Sequence, residues 1–518
     1  MTRHLFHLFV TVSIGLFAVL DAQAREIRTD RGAIKGETTE QGMHIFRGIP
    51  FAAAPVGDLR WKPPQDVAAW EGVLDATSFG GVCPQGDTLS RMMGETMPPV
   101  TEDCLYLNIW SKAQAEEKLP VMVWIHGGGL TLGWGHQRGY DGTAFANSGV
   151  ILVSINYRLG PLGFLAHPAL SAESANGVSG NYGLLDQQAA LAWIQRNIAA
   201  FGGDPDNVTI FGESAGATSV NALLASPLSK GLFHKAISQS AWVTETNFAV
   251  QKQALPTVAS AEDLGRAWAD GVAGEGADLQ KLRSLPIDAM MASMAMYPVA
   301  VTVDGWFMPD LSDNVFARGE QQDVPLIAGS NTDEGTIFLA ILPFATTEAF
   351  TTGLRTLYGD QIDQLLALYP MDDLRAAKNQ FITDAWFARG TRNMLNGMQK
   401  VESPAFHYHF TRSSPMAALG AHHGLEIGYA FGNLNPTQQT ETDKALSAAM
   451  HQYWLQFAKT GNPNAQRLPA WPVWTPADDQ QINLGDEISV GRAYRKQAVD
   501  VLNSVLAARM SAGGGGSR

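Results

Sequence analysis

The stretch "IFGESAGATS", residues 210–219, sets a serine between two glycines where an apolar run gives way to small residues. The run before it, "NVTIFG" (207–212), has the composition of a buried strand, and "AGATSVNALLAS" (215–226) follows a helical pattern. Gly212-Glu213-Ser214-Ala215-Gly216 is therefore a G-x-S-x-G match in the strand–turn–helix setting that gives the pattern its meaning. Glycines two residues either side relieve the crowding of so sharp a turn. The helix that follows points its N-terminus, and the Ala215 N–H, at the serine hydroxyl. Alone, the motif recurs by chance in glycine-rich turns. Its flanks make Ser214 a candidate nucleophile.

The same alternation extends along the chain. "VMVWI" (121–125), "VILVSINYR" (150–158), "KAISQS" (235–240), "PLIAGS" (325–330) and "AFHYHF" (405–410) read as strands. "LLDQQAALAWIQRNIAAF" (184–201) and "TDKALSAAMHQYWLQFAKT" (442–460) read as helices. In the second, Leu446, Met450, Tyr453, Trp454 and Phe457 form an apolar stripe. Several strands are apolar on both faces, as in a parallel sheet covered twice. The expected class is α/β, with a large, mostly parallel central sheet, helices on both faces, and helical insertions over 247–320 and 341–400.

A serine hydroxyl is a poor nucleophile without a base, a group that orients the base, and donors for the developing oxyanion. "VWIHGGG" (123–129) ends an apolar strand in three glycines, a backbone able to approach a ligand closely. The formal charge of −14 argues against nucleic acid or an anionic membrane surface as partner. Residues 1–24 combine a basic start, an apolar run of 16 residues and the small-x-small "AQA", the pattern of a cleaved signal peptide rather than an anchor. The mature chain then starts near Arg25 and is exported, to the periplasm or the medium. One domain is expected over 25–510, followed by a flexible Gly/Ser tail, 511–518. Cys83 and Cys104 are the two cysteines, and an oxidising compartment lets them pair. They have no nearby Cys or His at metal-binding spacing, so no metal is expected.

Long motifs carry a resemblance through almost the whole mature chain: "FRGIPFAAAPVGDLRW" (46–61), "EDCLYLNIW" (102–110), "WIHGGG" (124–129), "INYRLGPLGFL" (155–165), the stretch from Gly180 to Gly216, "GSNTDEGTIF" (329–338), "HHGLEIGYAFG" (422–432) and "FAKTGNPN" (457–464). In this order they resemble the type-B carboxylesterase (cholinesterase-like) family of α/β-hydrolases, in its bacterial exported form. The resemblance implies a serine carboxylesterase with Ser214 as nucleophile, Glu334 as triad acid and His423 as base. The residues alone would not choose Glu334 over Asp333, or His423 over His422. It also implies an oxyanion hole of the Gly128, Gly129 and Ala215 N–H groups, and a Cys83–Cys104 disulfide. Arg47 and Glu102 resemble a buried ion pair of the family.

No cofactor is implied. The partners are a small-molecule ester and water, and the chain is expected to be a monomer or weak homodimer. Leu130 stands where many relatives have an aromatic residue. Leu130, Glu213, Trp242, Ile337 and Phe338 are candidate substrate contacts, with Trp134, His136 and Arg138 placed near the entrance and Trp386 and Phe387 in a lid. The ester is left open between a general carboxylic ester and one bulky ester, such as a pesticide, phthalate, polyester or mycotoxin side-chain ester. A noncatalytic, adhesion-type relative is the alternative in another class. Such relatives usually lack a triad member, whereas this chain has all three.

Overall fold

The computed structural model describes residues 25–513 except 115, 245–246, 256–257, 414–417 and 438. The predicted signal peptide therefore lies outside the described residues. Seven parallel strands form the centre of a sheet: β1 (Leu119–Ile125), β2 (Ile151–Ile155), β3 (Gly203–Glu213), β4 (Lys235–Gln239), β5 (Leu326–Asn331), β6 (Ala405–Phe410) and β7 (Gln480–Leu484), in the order β2-β1-β3-β4-β5-β6-β7. Beyond β2 the sheet continues through antiparallel strands Tyr106–Ser111, His44–Pro50, Ala33–Thr38 and Arg25–Arg28. At the other edge Ser489–Arg492 pairs antiparallel with β7.

Strand β1 shows why the fold needs both faces covered. Successive side chains point to opposite faces of a strand. Val121, Val123 and Ile125 enter one apolar core, and Met122 and Trp124 enter the other. The first core is closed by helix α1 (Tyr182–Asn197) and helix α2 (Ala215–Ala225). The second is closed by helix α4 (Glu441–Thr460), whose Leu446, Met450, Tyr453, Trp454 and Phe457 are all buried in it. Helix α4 opens with a capping box between Thr440 and Asp443 and stops at Gly461 in the left-handed conformation.

The two insertions take separate places. Within 247–320 a short parallel pair forms, Phe248–Val250 with Val301–Val303. Residues 347–398 build a helical cap with a third apolar core, which includes Ala498 and Leu502 of the C-terminal helix α5 (Lys496–Gly513). Helix α5 thus runs three residues past the boundary expected for the Gly/Ser tail. The predicted helix over 184–201 is in fact α1 followed by a 3₁₀ turn, Ile198–Phe201.

The expected Arg47–Glu102 pair does not form. Arg47 faces the neighbouring strand and binds Glu37 at 2.5 Å, whereas Arg60 makes the forked pair with Glu102 at 2.7 and 2.5 Å. Arg60 also donates to the carbonyls of Arg283 and Leu285, which buries it between segments far apart in sequence.

Cys83 and Cys104 are bonded, closing a separation of 21 residues. Inside that loop Gln85 grips Gly133 from both sides, accepting from its N–H at 2.7 Å and donating to its carbonyl at 2.8 Å. The bridge thereby braces the chain just after the His126–Gly129 turn. Closing a loop of this length stabilises by about 3 kcal/mol through the unfolded state. Reduction of the bridge, followed by thermal melting, is expected to lower the midpoint by a few degrees; an unmoved midpoint would show that the bond adds nothing.

Candidate active site

Ser214 joins β3 to α2 with φ 56° and ψ −122°, a left-handed backbone that a non-glycine residue adopts only under constraint. The constraint is close packing. A Cβ on Gly216 would lie 2.0 Å from the Ile125 carbonyl oxygen, and one on Gly212 2.6 Å from the Gly216 backbone. Only glycine fits at either position, so strand and helix meet at a distance that forces the turn. All eleven residues of α2 are buried, which explains their small size.

The candidate acid and base come from two neighbouring strand ends. Glu334 follows β5 and is 0% exposed. Its Oε1 accepts from the Asn331 N–H at 2.6 Å and from Ser240 Oγ at 2.5 Å, while Oε2 accepts from His423 Nδ1 at 2.5 Å. Asp333 does something else. Its Oδ2 accepts from the Ala421 N–H and its Oδ1 from Asn379 Nδ2, both at 2.9 Å, tying the histidine loop to the acid loop. His422 turns its Nδ1 to the His423 carbonyl at 2.9 Å.

His423 Nε2 is buried and lies 3.0 Å from Glu213 Oε1. Burial opposes a charged imidazole here, but the carboxylates of Glu213 and Glu334 outweigh it and hold His423 above its ordinary range. Burial likewise pushes Glu213 up, and Glu426 up to about 7. Glu426 accepts from Asn331 Nδ2 at 2.6 Å and Gln239 Nε2 at 3.2 Å, which ties a third buried carboxyl group to the residue whose N–H holds Glu334.

The glycine turn faces the serine. A Cβ on Gly127 would lie 3.1 Å from Ser214 Cβ. Among the described residues, no backbone carbonyl takes the N–H of Gly128 or Gly129. Above the imidazole, the Phe387 and Phe338 rings stand 4.5 and 5.1 Å from it. Trp386 packs on Phe338 and on Trp242, at 5.6 and 6.0 Å. Trp242 and Phe338 thus belong to one aromatic wall, and Ile337 beside them is 36% exposed.

Other sequence-predicted contacts fall elsewhere. Leu130 is 1% exposed and packed in the first core, so its side chain is not offered to a ligand. Trp134 is buried, His136 stacks on Phe79 at 4.4 Å, and Arg138 is exposed near Glu95. Among the described residues no group of three or more His, Cys, Asp or Glu is arranged to hold a metal ion.

Comparison with known proteins shows the family. The model of the family described as "Carboxylesterase family" matches residues 23–502. The chain belongs to the carboxylesterase family. This carboxylesterase is 38% identical over 462 residues to fumonisin B1 esterase of Sphingopyxis macrogoltabida, covering 86% of this chain and 83% of that protein. It is 36% identical over 487 residues to para-nitrobenzyl esterase of Bacillus subtilis (strain 168), covering 90% and 95%. The solved structure of a Geobacillus stearothermophilus carboxylesterase matches it with a TM-score of 0.81 at 32% identity, over 92% of this chain and 99% of that one.

Ser240, Gln239, Asn331 and Glu426 escaped the sequence reading. Their signal was weak. Ser240 and Gln239 end a predicted strand and Glu426 follows the histidine motif, but nothing in their spacing marks them as partners of the acid.

Proposed function

We propose that this carboxylesterase hydrolyses carboxylic esters through an acyl-enzyme on Ser214, with His423 as base and Glu334 as orienting acid. The observation that carries the reading is the Glu334–His423 contact at 2.5 Å, with the opposite imidazole nitrogen 3.0 Å from Glu213, the residue before the strained Ser214. His423 Nε2 takes the hydroxyl proton as Ser214 Oγ attacks the carbonyl carbon. Gly128, Gly129 and Ala215 N–H groups receive the oxyanion. The imidazolium returns its proton to the leaving alcohol, and water repeats the sequence on the acyl-enzyme. Glu334 holds the imidazole orientation through Nδ1 and stabilises its charge.

The relatives' names, a fumonisin B1 esterase and a para-nitrobenzyl esterase, support an ester with a bulky alcohol part. The aromatic wall of Trp242, Phe338, Trp386 and Phe387 fits such a group. The disulfide supports a working place outside the reducing cytoplasm. Among the described residues no helix is long and apolar enough to cross a membrane.

A fluorophosphonate probe tests the assignment. Ser214 Oγ is expected to displace fluoride from phosphorus, and peptide mass mapping should place the adduct on Ser214; an adduct on another residue, or none from folded protein, overturns it.

The pH dependence tests the surroundings of the base. His423 must be neutral to accept the proton, and its two carboxylate neighbours favour the charged form. The acid limb of kcat/KM is therefore expected above the ordinary histidine range. Glu213→Gln removes one of those carboxylates and should move the limb to lower pH by about one unit, the size typical of one close charge. A limb that stays or moves upward contradicts this electrostatic picture.

A further inference from the structure

The loop between the last hairpin and α5 contains Ala493, Tyr494 and Arg495. Ala493 and Arg495 both lie in the left-handed region, at φ 56° and 55°, though neither is glycine. Between them the Tyr494 ring stacks on His409 at 3.5 Å. Its hydroxyl donates to the Asn331 carbonyl at 3.0 Å, on the residue whose N–H holds Glu334. The next residue reaches the other way. Arg495 makes a two-pronged pair with Asp384, which is 0% exposed and also accepts from Tyr369 Oη at 2.9 Å.

Asp384 sits in a single π-helical turn, Thr383–Ala388, immediately before helix α3 (Arg389–Met398). π-turns cost hydrogen-bond geometry and persist mainly where they place side chains for function. This one carries Trp386 and Phe387, the rings against Phe338 and His423. Two adjacent residues near the C-terminus therefore hold the loop of the acid and the aromatic wall. Backbone strain on both sides of Tyr494 indicates a geometry fixed by its surroundings.

We infer that Tyr494 and Arg495 form a clamp of positioning residues: Tyr494 sets the acid loop, and so turnover, while Arg495, through Asp384, sets the aromatic wall, and so selection among esters by bulk. The inference rests on the triad assignment above. Neither residue touches the reacting atoms. An ester with a small alcohol part should be indifferent to the wall, and a bulky one should not.

The experiment compares Tyr494→Phe, Arg495→Gln, Arg495→Lys, Tyr369→Phe and Arg60→Gln in the full chain. Ethyl and benzyl esters of one acid are the substrates, with melting midpoints measured in parallel. Arg60→Gln breaks a buried pair on the opposite edge of the sheet and controls for lost stability. Tyr494→Phe is expected to lower kcat on both esters about 5-fold with KM within 2-fold. Arg495→Gln is expected to change the benzyl-to-ethyl ratio of kcat/KM at least 5-fold, and Arg495→Lys to recover part of it. Tyr369→Phe removes only a hydroxyl and should shift the ratio in the same direction; it decides the matter if Arg495→Gln does not fold. The clamp is refuted if these variants lower the midpoint while the ratio and kcat follow Arg60→Gln. Ser214→Ala assayed alongside separates the two claims: activity surviving in it refutes the triad, whereas an inactive Ser214→Ala with unshifted ratios refutes the clamp alone.

Discussion

Ser214→Ala is expected to lower ester turnover by about 10⁴-fold or more while moving the melting midpoint by no more than a few degrees. The chemical half follows from covalent catalysis, because no other group at the turn can form the acyl bond and only the oxyanion donors and binding remain. The structural half follows from the packing. The Ser214 backbone is held by its N–H to the Gln239 carbonyl at 2.9 Å and by its carbonyl to the Thr218 N–H at 2.9 Å. Alanine keeps both bonds and occupies the same space. Hydrolysis of p-nitrophenyl esters from acetate to decanoate, beside a melting curve, measures both halves; turnover retained in a folded variant removes the nucleophile assignment.

The second large effect separates neighbours that the sequence could not rank. His423→Ala and Glu334→Gln are each expected to cost about 10³-fold or more in kcat, since one removes the base and the other the group that fixes its tautomer. His422→Ala should change kcat by less than 10-fold, because among the described residues that ring bonds only a backbone carbonyl. Asp333→Asn should act mainly on stability, by about 1–2 kcal/mol, through the weakened bond to the Ala421 N–H. Kinetics and melts on all four variants decide it: a larger kcat loss at Asp333 or His422 than at its partner reverses the assignment.

The central sheet was legible because its strands are apolar on both faces, a pattern that strand–helix alternation makes unambiguous. The antiparallel strands before β1 were not. "AIKGET" (33–38) and its neighbours alternate with polar residues and pair only with segments that local sequence does not reveal. The same limit explains the ion-pair error, since Arg47 and Arg60 share one motif and only the tertiary path shows which side chain reaches Glu102. At the site, the motif gave Ser214 and the family resemblance gave Glu334 and His423 as candidates, whereas Ser240, Asn331 and Glu426 are placed by tertiary geometry that carries no periodicity. Leu130 failed for a simpler reason: it follows the glycine turn in sequence, but its side chain folds inward.

The left-handed backbone at Ser214 has a consequence for how such a chain changes over generations. A residue held in a strained conformation by its neighbours contributes nothing to the integrity of the fold through its hydroxyl. Architecture would tolerate its loss, and a descendant could keep the whole sheet while surrendering the chemistry in one step. Serine would persist here only under continuous selection for the reaction, whereas the glycines on either side would persist in a descendant that had long ceased to be a catalyst.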